Sequence, residues 1–177
     1  MSESIAGPGW RADVRERVAE ILDERVPDVR GRVHRARVWP ASTKPALLVY
    51  GYAERKEPVG QGGYQHQFAV TCSMVVKVLT EAPRAIDAEK QCEALVGQVE
   101  RAILRAPELF GTAGAVLERC AGVITQLGAE QKERKAEVEA TIEFQLAWSE
   151  TFTVTEPETS PCGEVVFSFH DPSIPTS

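Results

Sequence analysis

The chain is poor in the signatures that usually betray chemistry. No CxxC pair occurs among its four cysteines, Cys72, Cys92, Cys120 and Cys162, which excludes a zinc ribbon or a thioredoxin-type site. No export signal is visible: "MSESIAGPGW" lacks a basic region followed by an apolar core, so reduced, buried thiols are expected rather than disulfides. No apolar run approaches the ~18 residues needed to cross a bilayer. The three histidines, His34, His66 and His170, are scattered and fit no ligand spacing such as HExxH. A GxSxG elbow and a GK[ST] phosphate loop are both missing. Positive charge is also short. The net charge of −6 argues against general nucleic-acid binding and against an anionic membrane surface as partner.

What is present suits one soluble domain: 177 residues, 43% hydrophobic and 26% charged. Trp10 to Val26 reads as an amphipathic helix with Val14, Val18, Ile21 and Leu22 on its buried stripe, stopped by Pro27. Arg32 to Trp39 alternates and reads as a short strand. Val33, Arg35, Arg37 and Trp39 share one face; His34, Ala36 and Val38 share the other. Ala46 to Ala53 and Gln65 to Leu79 read as two strands joined by a long, polar, mobile hairpin tip. Pro83 to Ala106 is a second helix, with Ile86, Leu95, Val96, Val99, Ile103 and Leu104 as its buried stripe. Val116 to Leu127 reads as a strand with a kink or bulge at Gly122, and "GAEQKERKAE" as a charged turn. Glu137 to Val154 is the clearest strand. Its apolar row runs Val138, Ala140, Ile142, Phe144, Leu146, Trp148, and its other row holds Glu137, Glu139 and Glu143.

Consecutive strands between helices point to an α+β fold: a mainly antiparallel sheet with two helices packed on one face and a long β-hairpin. The composition changes after Thr155. "EPETSPCGEVVFSFHDPSIPTS" holds four prolines and one small apolar island, Val165 to Phe169. Residues 1–155 are therefore expected to form the domain, and residues 156–177 a tail or an arm. Such an arm is either flexible or adds a strand to a sheet edge, its own or a neighbour's.

Tests for a site return little. Gly60, Gly62 and Gly63, with Gln61 between them, do not fit GxGxxG, and a strand follows where a phosphate loop needs a helix. They read as a hairpin tip whose glycines permit positive φ. Glu137, Glu139 and Glu143 could bind a cation or do acid–base work, but a solvated strand face explains them better. Arg35 and Arg37 beside Trp39 suit an interface as well as plain surface. No catalytic, cofactor or metal residue is assigned, and no cofactor is expected.

In arrangement the chain resembles the tail terminator proteins of long-tailed phages and prophages, the minor tail protein U type. The features that carry this are "VRERVAEILDERV", then "RVWP", then "PALLVYGYAE" and a polar hairpin into "YQHQFAVTCSMVVKV". The helix "AIDAEKQCEALVGQVERAILRAPEL" and the strand pair "GAVLERCAGVITQLGAEQKERKAEVEATIEFQLAW" follow. The resemblance covers about Trp10 to Thr155. It implies a non-enzymatic virion protein at the head-proximal end of the tail, assembled in the bacterial host cytoplasm. Such a protein forms a ring, usually hexameric, that caps the tail tube, ends its polymerisation and offers the head-joining surface. The implied partners are further copies of the chain, the tail tube protein and a head-completion or connector protein. DNA passes through the lumen without specific binding, and no membrane is involved. On this view Arg35, Arg37 and Trp39, the glycine tip, and the Glu137, Glu139 and Glu143 row are candidate interface residues. The rival readings are a head–tail joining or tail completion protein, a small α+β enzyme, and a binding module that donates its tail as a strand.

Overall fold

The computed structural model describes residues 10–37, 43–62, 65–111, 117–132 and 135–153. The element order is α1 (Trp10–Arg25), a 3₁₀ turn (Pro27–Val29), β1 (Val33–His34), β2 (Ala46–Gly62), β3 (Gln65–Ala82), α2 (Ala85–Leu104), β4 (Arg119–Lys132) and β5 (Lys135–Thr153). One five-stranded sheet runs in the order β1-β2-β3-β5-β4. Every neighbouring pair is antiparallel except β1 with β2. The fold is α+β.

Local chemistry explains most of the boundaries. Val14, Val18, Ile21 and Leu22 fall on one side of α1 and are all buried. Pro27 opens the 3₁₀ turn, where its missing N–H costs nothing. Gly31 then takes φ +73°, a conformation that side chains resist, and its N–H donates to Asp23 Oδ1 at 2.6 Å. That turn feeds β1, whose parallel pairing begins with Leu47 N–H donating to the Arg32 carbonyl at 2.9 Å. Gly122 sits at the register shift between Cys120 and Gly122 in β4, where the sequence predicts a bulge.

Both helices lie on the same face of the sheet, α1 against β1 and β2, α2 against β3 and β5. The core between them takes the apolar rows of the strands: Leu47 and Val49; Val70 to Val78 at period two; Val138 to Trp148 at period two. Phe144 is its largest fully buried side chain. Inside this core Thr80 is the one buried hydroxyl among the described residues, within hydrogen-bond reach of the Ala88 carbonyl (3.1 Å) and the Val138 carbonyl (3.2 Å). It ties the start of α2 to β5 through β3.

Four expectations need correction. Of the strand read over Arg32 to Trp39, only Val33 and His34 are strand among the described residues, because after His34 the backbone leaves β2. The polar run after Ala53 is no loose tip: β2 continues to Gly62 and stays paired with β3 as far as Gln65. Pairing to β3, itself held by β5, supplies the order that burial does not. Likewise the charged turn after Leu127 is mostly strand, since β4 runs to Lys132 and β5 starts at Lys135. In α2, Ile86 and Leu104 are exposed, and Ala88 and Cys92 take the buried stripe with Leu95, Val99 and Ile103. Residues 154–177, and with them the expected tail, lie outside the described residues.

Candidate functional site

The helices cover only part of the sheet. Burial along β3 begins at Val70, and Gln65, His66, Gln67 and Ala69 before it are exposed. The outer portions of β2, β3 and β5 therefore form a three-stranded ribbon that projects beyond the helical layer. Gln65 pairs with both Gly62 and Thr153 at its end. Gly60 is exposed on this ribbon, after a register shift that leaves Val59 66% exposed. The backbones of Gln61 and Gly62 pair with His66 and Gln65. Gly63 lies outside the described residues. Gly60 and Gly62 thus belong to a ladder, not to an anion cradle.

An ionic cluster closes the base of the ribbon on its helix-side face. Glu150 is 6% exposed and pairs with Lys56 across β3; its other oxygen lies 3.4 Å from the Trp148 indole N–H. Lys56 also approaches Glu54 (3.5 Å) and stands 5.0 Å over the Phe152 ring. Glu54 in turn holds Arg11, at the start of α1, at 2.9 Å. Phe152 meets Phe68 edge-to-face at 5.9 Å. The cluster links the first helix to the last strand. No sequence signal marks it, because Lys56 and Glu150 stand 94 residues apart.

The arginines beside β1 diverge. Arg35 forms an ion pair with Glu16 on α1. Arg37 donates to the Gly51 carbonyl at 2.9 Å and lies over the rings of Tyr50 (5.6 Å) and Tyr52 (5.9 Å). Trp39 is outside the described residues. Arg11, Arg15 and Arg37 converge on a cleft of about 310 Å³ whose floor includes Cys72.

The glutamate row lies on the sheet face opposite the helices, and no helix covers that face among the described residues. Glu137 pairs with Lys44 at 2.7 Å and Glu139 with Lys77 at 2.5 Å. Glu143, opposite Val75 and Ile124, makes no ion pair among the described residues. Two strands, β2 and β3, separate this row from the arginines in the strand order, so the two sets do not meet within one chain.

β4 is the outermost strand on its side of the sheet. Its apolar residues Val123, Ile124 and Leu127 are 36%, 48% and 51% exposed. Between the bulge at Gly122 and Lys132 at its end, that is an apolar stretch of edge.

Among the described residues no cluster of His, Cys, Asp and Glu is arranged to hold a metal ion, and no helix is long and apolar enough to cross a membrane. Cys72, Cys92 and Cys120 are free thiols. Burial pushes the Cys72 thiol up from its ordinary 9.0 to about 11; nearby Glu54 adds to the rise and Arg11 opposes it. This is the chemistry of an inert core thiol, not of a nucleophile. The unfolded chain releases the Cys72 proton near pH 9 and the folded chain holds it to about pH 11, so stability falls as pH rises through that window. Denaturant titrations at pH 8.5 and 11 are expected to cost the parent roughly 2–3 kcal/mol more than the Cys72→Ala variant. Parallel losses would remove Cys72 as the cause.

No family model matches the chain, and no curated protein matches it. Among solved structures it is similar to a chain of the "Virion of native gene transfer agent (GTA) particle", at 15% identity and a TM-score of 0.38, over 83% of this chain and 100% of that one.

Proposed function

We propose that this chain is a structural protein of a phage-like particle, and that within it the chain forms the ring that caps the tail tube. The observation that carries this reading is the distribution of open surface. Among the described residues one sheet presents a projecting ribbon, a glutamate-bearing face with no helix over it and an exposed apolar edge, and its two ends differ. A head-to-tail ring needs two unlike patches on opposite sides of each subunit. Arg35 and Arg37 lie at the β1 end, and Glu143 with Glu137 and Glu139 lies on β5 toward the other end. Arg35, Glu137 and Glu139 already have in-chain ion pairs, whereas Arg37, held by the Gly51 carbonyl and two tyrosine rings, and Glu143 have no ion pair among the described residues, which makes them the pair with most to gain across a subunit boundary. The ribbon, with Gly60, Gln61 and Gly62, is the surface offered to the tube. The sequence resemblance supports the same reading and supplies the expected hexamer, the connector on the head side and the DNA in the lumen. With a net charge of −6 the ring would repel the passing DNA rather than hold it.

Mass in solution tests this, by light scattering coupled to size exclusion, across concentration and with purified tail tube. Closed rings, or capture confined to tube ends, are the expected result. A strict monomer that ignores tube ends would sink the terminator reading and favour a head-side joining protein. Arg37→Glu is expected to weaken ring formation at low salt; an unchanged ring would remove that contact.

A further inference from the structure

We infer that the chain assembles by strand exchange: residues 164–169 of one copy, "EVVFSF", add to the free edge of β4 in the next. The inference requires self-association only, and is independent of whether the assembly caps a tube.

The edge has a defined shape. Thr125 Oγ1 on β4 lies 3.1 Å from Glu100 Oε1 on α2, which fixes the two elements side by side. They run in opposite directions. One turn further along α2, ~6 Å, stands Leu104, level with Val123 two residues back along β4, ~7 Å. Leu104, Val123 and Leu127 are 45%, 36% and 51% exposed. They therefore form an apolar shelf on the helix side of a strand whose outer edge is unpaired among the described residues. Above the shelf, at the end of α2 and the start of β4, stand Arg101, Arg105 and Arg119. All three are exposed and make no ion pair among the described residues.

The occupant matches on both counts. In 164–169 the residues Val165, Phe167 and Phe169 alternate with Glu164, Val166 and Ser168, the pattern of a strand with one strongly apolar face. That face would lie on the shelf while the backbone completes the ladder. Residues 154–177 carry Glu156, Glu158, Glu164 and Asp171 and no lysine or arginine, so the segment is acidic where the shelf's surroundings are basic.

Geometry favours a neighbour's edge over the chain's own. β5 ends at Thr153 on the ribbon tip, whereas Val123 pairs with Phe144, nine residues lower on β5, or ~31 Å. The new strand also lies two strand spacings to the side, ~10 Å. The eleven residues 154–164 span at most ~38 Å. Reaching its own edge, ~33 Å away in a straight line, would require the chain to reverse at Thr153 and run nearly straight, with only ~5 Å to spare. A chain that leaves the tip outward meets another subunit without that constraint.

Complementation tests this. An arm variant, Phe167→Glu with Phe169→Glu, keeps the edge; an edge variant, Leu127→Glu, keeps the arm. Both edit residues outside the described core, and Leu104→Glu on α2 repeats the edge test without touching a strand. By sedimentation or light scattering, the full parent chain is expected to self-associate with concentration. Each variant alone should need at least about tenfold more protein to do so, and a one-to-one mixture of arm and edge variants should form pairs. Variants that associate like the parent, a mixture that stays monomeric, or a parent that is monomeric throughout would each overturn the inference. Arm-dependent assembly by a chain that ignores tube ends would keep it and remove the terminator reading. Tube-end capture by both variants at parental affinity would do the reverse.

Discussion

Phe144→Ala is expected to lower the free energy of unfolding by about 3–5 kcal/mol, the range for truncating a fully buried aromatic. Phe144 is 0% exposed and sits mid-strand in β5, between Met74 on β3 and Val123 on β4. Its ring fills the space between the sheet and α2. The neighbours that would close the cavity are strand residues pinned by ladders on both sides, so collapse is limited and the cost should fall high in the range. Domains of this size hold roughly 5–15 kcal/mol in all. The melting temperature should drop by roughly 10 °C. Urea titration read by tryptophan fluorescence would give the change directly, with an unaltered slope if only the native core is affected. A loss below about 1.5 kcal/mol would mean that the layer between α2 and the sheet is loosely packed.

Lys56→Met is expected to cost about 2–3 kcal/mol. The substitution removes the cation beside Glu150 and leaves a carboxylate that is 6% exposed with the Trp148 indole as its remaining contact. Deleting one member of a buried ion pair typically costs 3–5 kcal/mol; the partial exposure of Lys56 reduces that here. Neutralising both partners is a different matter, because no uncompensated charge remains. Lys56→Met with Glu150→Gln should recover at least half of the loss, and the double-mutant cycle isolates the coupling. Simple additivity would show that the cluster does not act as a unit. The damage should also be local: the ribbon beyond Val70 rests on this cluster, and its amides should exchange faster while those of β3 and β5 beneath the helices keep their protection.

Where burial decides structure, the sequence was readable. α1, α2 and the main span of β5 stand within a few residues of their expected limits, because their apolar spacing matches the core they enter. Where pairing decides it, the sequence misled. Glu54 to Gly62 has the composition of a loop, yet it is a strand, since what orders it is β3 alongside. Arg32 to Trp39 has the alternation of a strand, yet among its described residues only Val33 and His34 pair with another strand. The candidate surface divides in the same way. The glutamate face of β5 was visible as a period of two. The lysines that meet Glu137 and Glu139, and the cluster around Glu150, come from residues remote in the chain and leave no local trace.

The strand order has a consequence for how the chain acquires its structure. β2 with β3 and β4 with β5 are two antiparallel pairs, each with only two residues between its strands, while the seam between β3 and β5 joins residues as far apart as Gln65 and Thr153. Local pairs form early and cheaply in entropy; the seam must wait for α2 and the whole second hairpin. During synthesis, β3 therefore emerges with one side paired and the other bare until β5 has been made. In that interval its apolar row, Val70 to Val78, is an open template. Contact order predicts that the zipping of two finished halves is the slow event in folding, and the same event would withdraw the nascent chain from aggregation.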